Sequence, residues 1–226
     1  MTIGPAISEV PFPQVLVVCS EDPGRSTADL LVRHATAGSL ALPVSAVRIV
    51  RLCPSCGSSD HGRPLVAPIP GRTAPWVSIS RAAGLTVVAL STVGPVGVDV
   101  EHEASAGFAN FAEVALHRSE SADGPREQTV TWVRKESLVK AAGAGLRLDP
   151  TLVRLSGPTS TPPSVIDWPG LRWPTSQVYL YDVEVALDHV AAVTVLAETR
   201  PDLVVSRHAP AAVAGWGRAT SRRTAR

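Results

Sequence analysis

Gly97-Val98-Asp99-Val100-Glu101 alternates between apolar and acidic residues. In an extended strand Val98 and Val100 face one side and Asp99 and Glu101 the other, with the two carboxylates about 7 Å apart at Cα. Like charges placed this way repel unless a cation lies between or beside them. Taken alone, such a strand is most often a solvated acidic face. A third carboxylate, Glu136, stands in WVRKESLVKAAGAG, Trp132 to Gly145. At about 100° per residue Trp132, Glu136, Val139 and Gly143 fall on one helical face, with Lys140 at its edge and Lys135 on the other flank. Glu136 is then a carboxylate among apolar neighbours and needs a lysine, a backbone donor or a metal ion as partner.

The chain has 19 Arg and only 2 Lys, and both lysines flank Glu136. An ordinary surface pair of Glu136 with Lys140 is worth about 0.2–0.5 kcal/mol and explains neither the retained lysines nor the glycines at 143 and 145. Those glycines fit a helix stop and also a close approach of a ligand. Three acidic oxygen donors from a strand and a helix suit a hard cation such as magnesium, which takes a few carboxylates and completes its shell with water and phosphate oxygens. Compact ammonium groups beside them would meet those phosphates as point charges. The combination points to magnesium-assisted chemistry on a phosphorylated ligand.

The elements that must carry these residues are legible along the chain. Gln14 to Cys19 reads as a buried strand, Ser20 to Gly38 as a capped helix and Val44 to Cys53 as a further strand. Trp76 to Glu101 reads as two short strands, a glycine turn and a third strand. The second half repeats the texture, with a short helical region near Phe108 to Leu116, a helix through Trp132 to Ala142 and a hairpin turning at Leu187 to His189. The fold class this predicts is α+β, with two similar, pseudo-twofold-related lobes, each a small antiparallel sheet with helices. The expected division is 15–101 for the N-terminal lobe and 102–200 for the C-terminal lobe. Residues 1–14 and 201–226 read as tails, the last ten or so as a disordered Ala/Arg-rich end.

The paired motifs resemble those of the 4'-phosphopantetheinyl transferases, specifically the long, monomeric type that activates peptide and polyketide synthases. That family carries a G-[hydrophobic]-D-[hydrophobic]-E strand and, thirty to forty residues later, W-x-x-K-E-x-x-x-K-x-x-G-x-G. Here these are Gly97 to Glu101 and Trp132, Lys135, Glu136, Lys140, Gly143 and Gly145. Arg63 in HGRP is similar to the lysine of the family's G-K-P segment, and Ser78-Ile79-Ser80 to its S-H-S element, with Ile79 where histidine is usual. Glu120 resembles a glutamate in the loop before the lysine-bearing helix.

The resemblance implies an active site between two lobes of one chain, and transfer of the 4'-phosphopantetheine arm from coenzyme A to a serine of an acyl, peptidyl or aryl carrier protein, releasing adenosine 3',5'-bisphosphate. Asp99, Glu101 and Glu136 would hold magnesium. Glu136, or a metal-bound water, would take the serine proton, and Lys140 would act with it. Arg63, Ser78, Arg81, Lys135 and Lys140 would hold the coenzyme. The competing expectation is a degenerate homologue that binds coenzyme A or a carrier protein without transfer, and Ile79 is the residue that favours it.

Composition narrows the remaining classes. A net charge of +1 gives no nucleic-acid footprint, and no apolar run is long enough to span a membrane. MTIGPAISEVPFPQ lacks a secretory pattern, and three cysteines fit reduced thiols in a cytoplasmic monomer. Cys53 and Cys56 with His61 and Asp60 suggest zinc, but no second ligand pair follows, so thiols in a turn are the expectation. The scattered tryptophans read as packing residues.

Overall fold

The computed structural model describes residues 14–21, 25–53, 56–59, 62–143, 145, 149–208 and 223–224. It is an α+β fold built on two sheets. The first contains β1 (Val15–Glu21), β4 (Trp76–Ala82), β5 (Leu85–Ser91), β11 (Leu203–His208) and β12 (Arg223–Thr224), in the order β12-β11-β1-β5-β4. The second contains β6 (Val96–His102), β9 (Val178–Val183) and β10 (His189–Leu196), in the order β6-β10-β9. Two short hairpins complete the strands, β2 (Ile49–Leu52) with β3 (Arg63–Val66) and β7 (Arg154–Leu155) with β8 (Val165–Asp167).

Connectivity repeats between the halves. β1 pairs antiparallel with β5 and β5 with β4; likewise β6 pairs antiparallel with β10 and β10 with β9. Each first strand leads into a helical region, α1 (Arg25–Leu40) in one half and α2 (Phe111–Ala115) with α3 (Gly124–Ala142) in the other.

The burial of β1 and β5 follows from layers on both faces. Val15, Val17, Val87 and Ala89 meet Val96, Val98, Val100, Val193 and Val195 of the second sheet in a shared core. Leu16, Val18, Val88 and Leu90 point the other way, onto Leu31, Val32 and Ala35 of α1. On the far face of the second sheet, Val190, Ala192 and Leu196 pack on Val133, Leu138 and Ala141 of α3. A strand covered on both sides reads as a continuous apolar run, the pattern of VLVVC.

One element is shorter than the sequence reading has it. The Val44–Cys53 strand is only β2, preceded by a 3-10 turn over Val44–Ala46. β6, which the sequence reading assigns to the N-terminal lobe, pairs with β10 in the second sheet. β5 lies between β1 and β4, which leaves β4 at the edge of the first sheet. β11, beyond residue 200, pairs in parallel with the remaining edge of β1 and buries Leu203 and Val205. Apart from β12, the expected disordered end lies outside the described residues.

Candidate active site

β4 is an edge of the first sheet and β6 an edge of the second, and the two edges face one another. An edge strand carries backbone groups without a ladder partner. At Val98 both are met by side chains: Ser78 Oγ accepts from Val98 N at 3.1 Å, and Lys140 Nζ donates to the Val98 carbonyl at 3.2 Å. Helix α3 reaches this edge because Gly97 has no side chain. A Cβ there would lie 2.0 Å from the Ser137 carbonyl oxygen and 2.4 Å from Ala141 N. The helix ends where it should, with Gly143 in the left-handed region (φ 67°) as C-cap and Lys140 in the last turn, complementing the negative end of the helix dipole.

Asp99 is 4% exposed. Its Oδ1 accepts from Lys140 Nζ at 2.6 Å and from Ser80 Oγ at 2.7 Å. Its Oδ2 is buried with no hydrogen-bond partner. The Glu101 and Glu136 carboxyls are both pushed above the usual glutamate range, first by burial and next by the negative charge of Asp99, while Lys140 pulls each of them back. Glu101 adds its own repulsion to Glu136. The three carboxylates the sequence singles out are therefore one electrostatic group, with Lys140 as its cation.

Among the described residues no three His, Cys, Asp or Glu side chains are grouped as a formed metal centre. The donor chemistry nonetheless fits a hard cation. All three side chains offer carboxylate oxygens, one of these is orphaned in a buried position, and the surplus negative charge is only partly offset by one ammonium.

Residues 95–194, which include β6, α3 and the β9–β10 hairpin, match the model of the 4'-phosphopantetheinyl transferase superfamily. That segment is similar to the superfamily over 100 of the chain's 226 residues. No curated protein matches the chain. Asp99, Glu101, Glu136 and Lys140 all lie inside the matched segment.

The other residues expected at the transferase site are placed unevenly. Lys135 is not brought to it. Its side chain is 1% exposed and its ammonium donates to the Ala115 carbonyl at 2.7 Å, Glu120 Oε2 at 2.6 Å and the Pro150 carbonyl at 3.0 Å. A lysine has three donors and here all three are used. Glu120 is the hub of this second cluster, accepting also from the backbone N–H groups of His117 and Leu155. Through these contacts Lys135 ties two loops to α3. Arg134, next along the helix, is equally buried and binds Asp182 of β9 through two hydrogen bonds. A cleft of about 360 Å³ borders Glu120, Asp123, Glu127, Thr131 and Ser156, apart from the carboxylate group.

Arg63 does reach the end of α3. Its Nη1 approaches Gly143, its guanidinium lies 5.5 Å from the Trp76 ring centroid, and its Nη2 is buried without a hydrogen-bond partner. Trp76 is thus more than a packing residue. Ser78 spends its oxygen on Val98, and Arg81 is exposed at the end of the same strand. Ile79 packs with Val77 against the α1 side of the sheet, on the face opposite Ser78 and Ser80. Ser80 is the site neighbour that sequence reasoning passed over, although strand alternation places it beside Ser78. Cys53 is half-buried, Cys56 exposed, and neither is in a disulfide. Asp60 and His61 lie outside the described residues.

Proposed function

We propose that this chain transfers the 4'-phosphopantetheine arm of coenzyme A to a serine hydroxyl of an apo acyl, peptidyl or aryl carrier protein, releasing adenosine 3',5'-bisphosphate. The observation that supports it best is the Asp99 carboxylate, fixed through Oδ1 and orphaned at Oδ2, inside a superfamily segment where Glu101 and Glu136 share its field.

In this reading Asp99, Glu101 and Glu136 hold a magnesium ion. When bound, it supplies charge neutralisation for the diphosphate and its leaving oxygen. The chain's own residues do the rest. Glu136 would accept the serine proton. The serine oxygen bonds to the β-phosphorus as the bond from that phosphorus to the bridging oxygen breaks, and the adenosine bisphosphate leaves. Lys140, whose side chain is 32% exposed, would offset phosphate charge through its field, since its three donors are held by Asp99, Ser80 and the Val98 carbonyl. Arg63 and Arg81 serve the coenzyme's phosphates at the β4 side, with Trp76 alongside Arg63.

The site draws Ser80 from the first sheet and Asp99 and Lys140 from the second half of the same chain, which favours action as a monomer of the long type. No helix among the described residues is long and apolar enough to cross a membrane. Free thiols at Cys19, Cys53 and Cys56 suit the cytoplasm. The activity is tested by chromatographic detection of adenosine 3',5'-bisphosphate released from coenzyme A. Release only when an apo carrier is added supports transfer, whereas coenzyme binding without release would instead favour the degenerate homologue.

A further inference from the structure

We propose that Ser80 is a positioning residue of this site, fixing the Asp99 carboxylate so that Oδ2 is the oxygen presented to the divalent cation. The proposal rests on the metal reading given above.

The Ser80 hydroxyl donates to Asp99 Oδ1 at 2.7 Å and accepts from Lys140 Nζ at 3.2 Å. It therefore closes a three-membered set in which Lys140 touches Asp99 directly and again through the serine. Both contacts fall on Oδ1, so that oxygen is spent, and the second oxygen of the same buried carboxylate is left with none. A buried carboxylate oxygen without a partner is costly to maintain, so the arrangement calls for a cation at Oδ2.

A carboxylate turns readily about its terminal torsion, which is broad and roughly two-fold. Lys140 alone cannot tell one Asp99 oxygen from the other. Ser80 supplies the distinction, because it enters from β4 and reaches one side of the carboxylate only. Its hydrogen bond to Asp99 comes from the first sheet, so it also sets the carboxylate relative to β4. Ser78, on the same face, holds the Val98 backbone N–H and does not touch Asp99.

The test is Mn2+ binding to the full chain, followed by the electron paramagnetic resonance signal of free Mn2+. Ser80→Ala is expected to weaken binding between about 10- and 100-fold, the range for losing a group that orients a metal ligand. Ser80→Thr, which keeps the hydroxyl, should recover most of it. If Ser80→Ala does not fold by circular dichroism, Ser80→Cys, with a weak donor of similar size, takes its place with the same expected loss. Wild-type affinity in Ser80→Ala or Ser80→Cys, or a Ser80→Thr as weak as Ser80→Ala, overturns the positioning role alone. No Mn2+ binding by the wild type, or undiminished binding by Asp99→Asn, overturns the metal reading and this inference together.

Discussion

Lys140 Nζ lies 2.6 Å from Asp99 Oδ1, so the last turn of helix α3 is pinned to the edge strand β6 by a charge-assisted hydrogen bond. The same ammonium holds the Val98 carbonyl and Ser80. Lysine is suited to this junction because three separate acceptors converge on one small cation, a geometry that a planar guanidinium does not match. Lys135 solves the same problem at the second cluster, with Ala115, Glu120 and Pro150 as its acceptors. The two lysines of an arginine-rich chain are thus the two places where an ammonium is enclosed on three sides.

The carboxylate group makes stability depend on pH in a direction opposite to that of salt-bridged acids. Burial, then the charge of Asp99, raise Glu136 and Glu101 above the reference value of 4.5. Above that value the folded protein keeps protons that the unfolded chain has lost, so stability falls as pH rises through the raised folded values and stays lower beyond them. Glu136→Gln removes one of these penalties. Its melting temperature should exceed that of the wild type at neutral pH, and the gap should narrow as pH falls toward 4.5. Magnesium should raise the wild-type melting temperature at neutral pH and do less for the variant. A variant that melts below the wild type at neutral pH would contradict the crowding of these charges.

Lys135→Ala should destabilise the fold by about 3–5 kcal/mol, the usual result of stripping one partner from a buried ion pair. Glu120 would be left buried and charged, still accepting from His117 and Leu155. Urea titration followed by tryptophan fluorescence checks this. An unchanged midpoint combined with weaker coenzyme A binding would return Lys135 to the phosphate role that its motif position suggests.

Gly97→Ala should separate helix from strand. The added methyl meets backbone atoms of Ser137, Lys140 and Ala141, none of which can move without shifting α3. Overpacking of this kind typically costs about 1–3 kcal/mol or more. The expected result is a lower melting temperature together with loss of transferase activity, because the Lys140–Asp99 contact depends on this approach. A variant of wild-type activity would show that α3 can retreat without disturbing the site.

Strand alternation placed Asp99 and Glu101 on one face, and helical phase placed Glu136 and Lys140 together; both are local periodicities that survive folding. The β9–β10 turn was legible in the same way, and Asp188 sits in its tip with φ 60°. Long-range edge pairing was not. Nothing near Leu203 announces that β1 keeps an open edge 188 residues earlier, at Val15. Nor does the motif around Glu136 distinguish two lysines that leave the helix in different directions. The Lys135 acceptors lie at residues 115, 120 and 150, and only the folded chain gathers them. Ser80 was hidden by the attention its neighbour Ile79 attracts, yet Ile79 faces away from the carboxylates.

The most direct measurement is the intact mass of an apo carrier protein after incubation with the chain, coenzyme A and magnesium. The expected result is a carrier heavier by one phosphopantetheinyl group, with the adduct lost when its acceptor serine is replaced and reduced at least about 100-fold in rate by Asp99→Asn or Glu136→Gln. A carrier of unchanged mass across acyl, peptidyl and aryl types, or an adduct formed at the wild-type rate by both variants, would contradict the account.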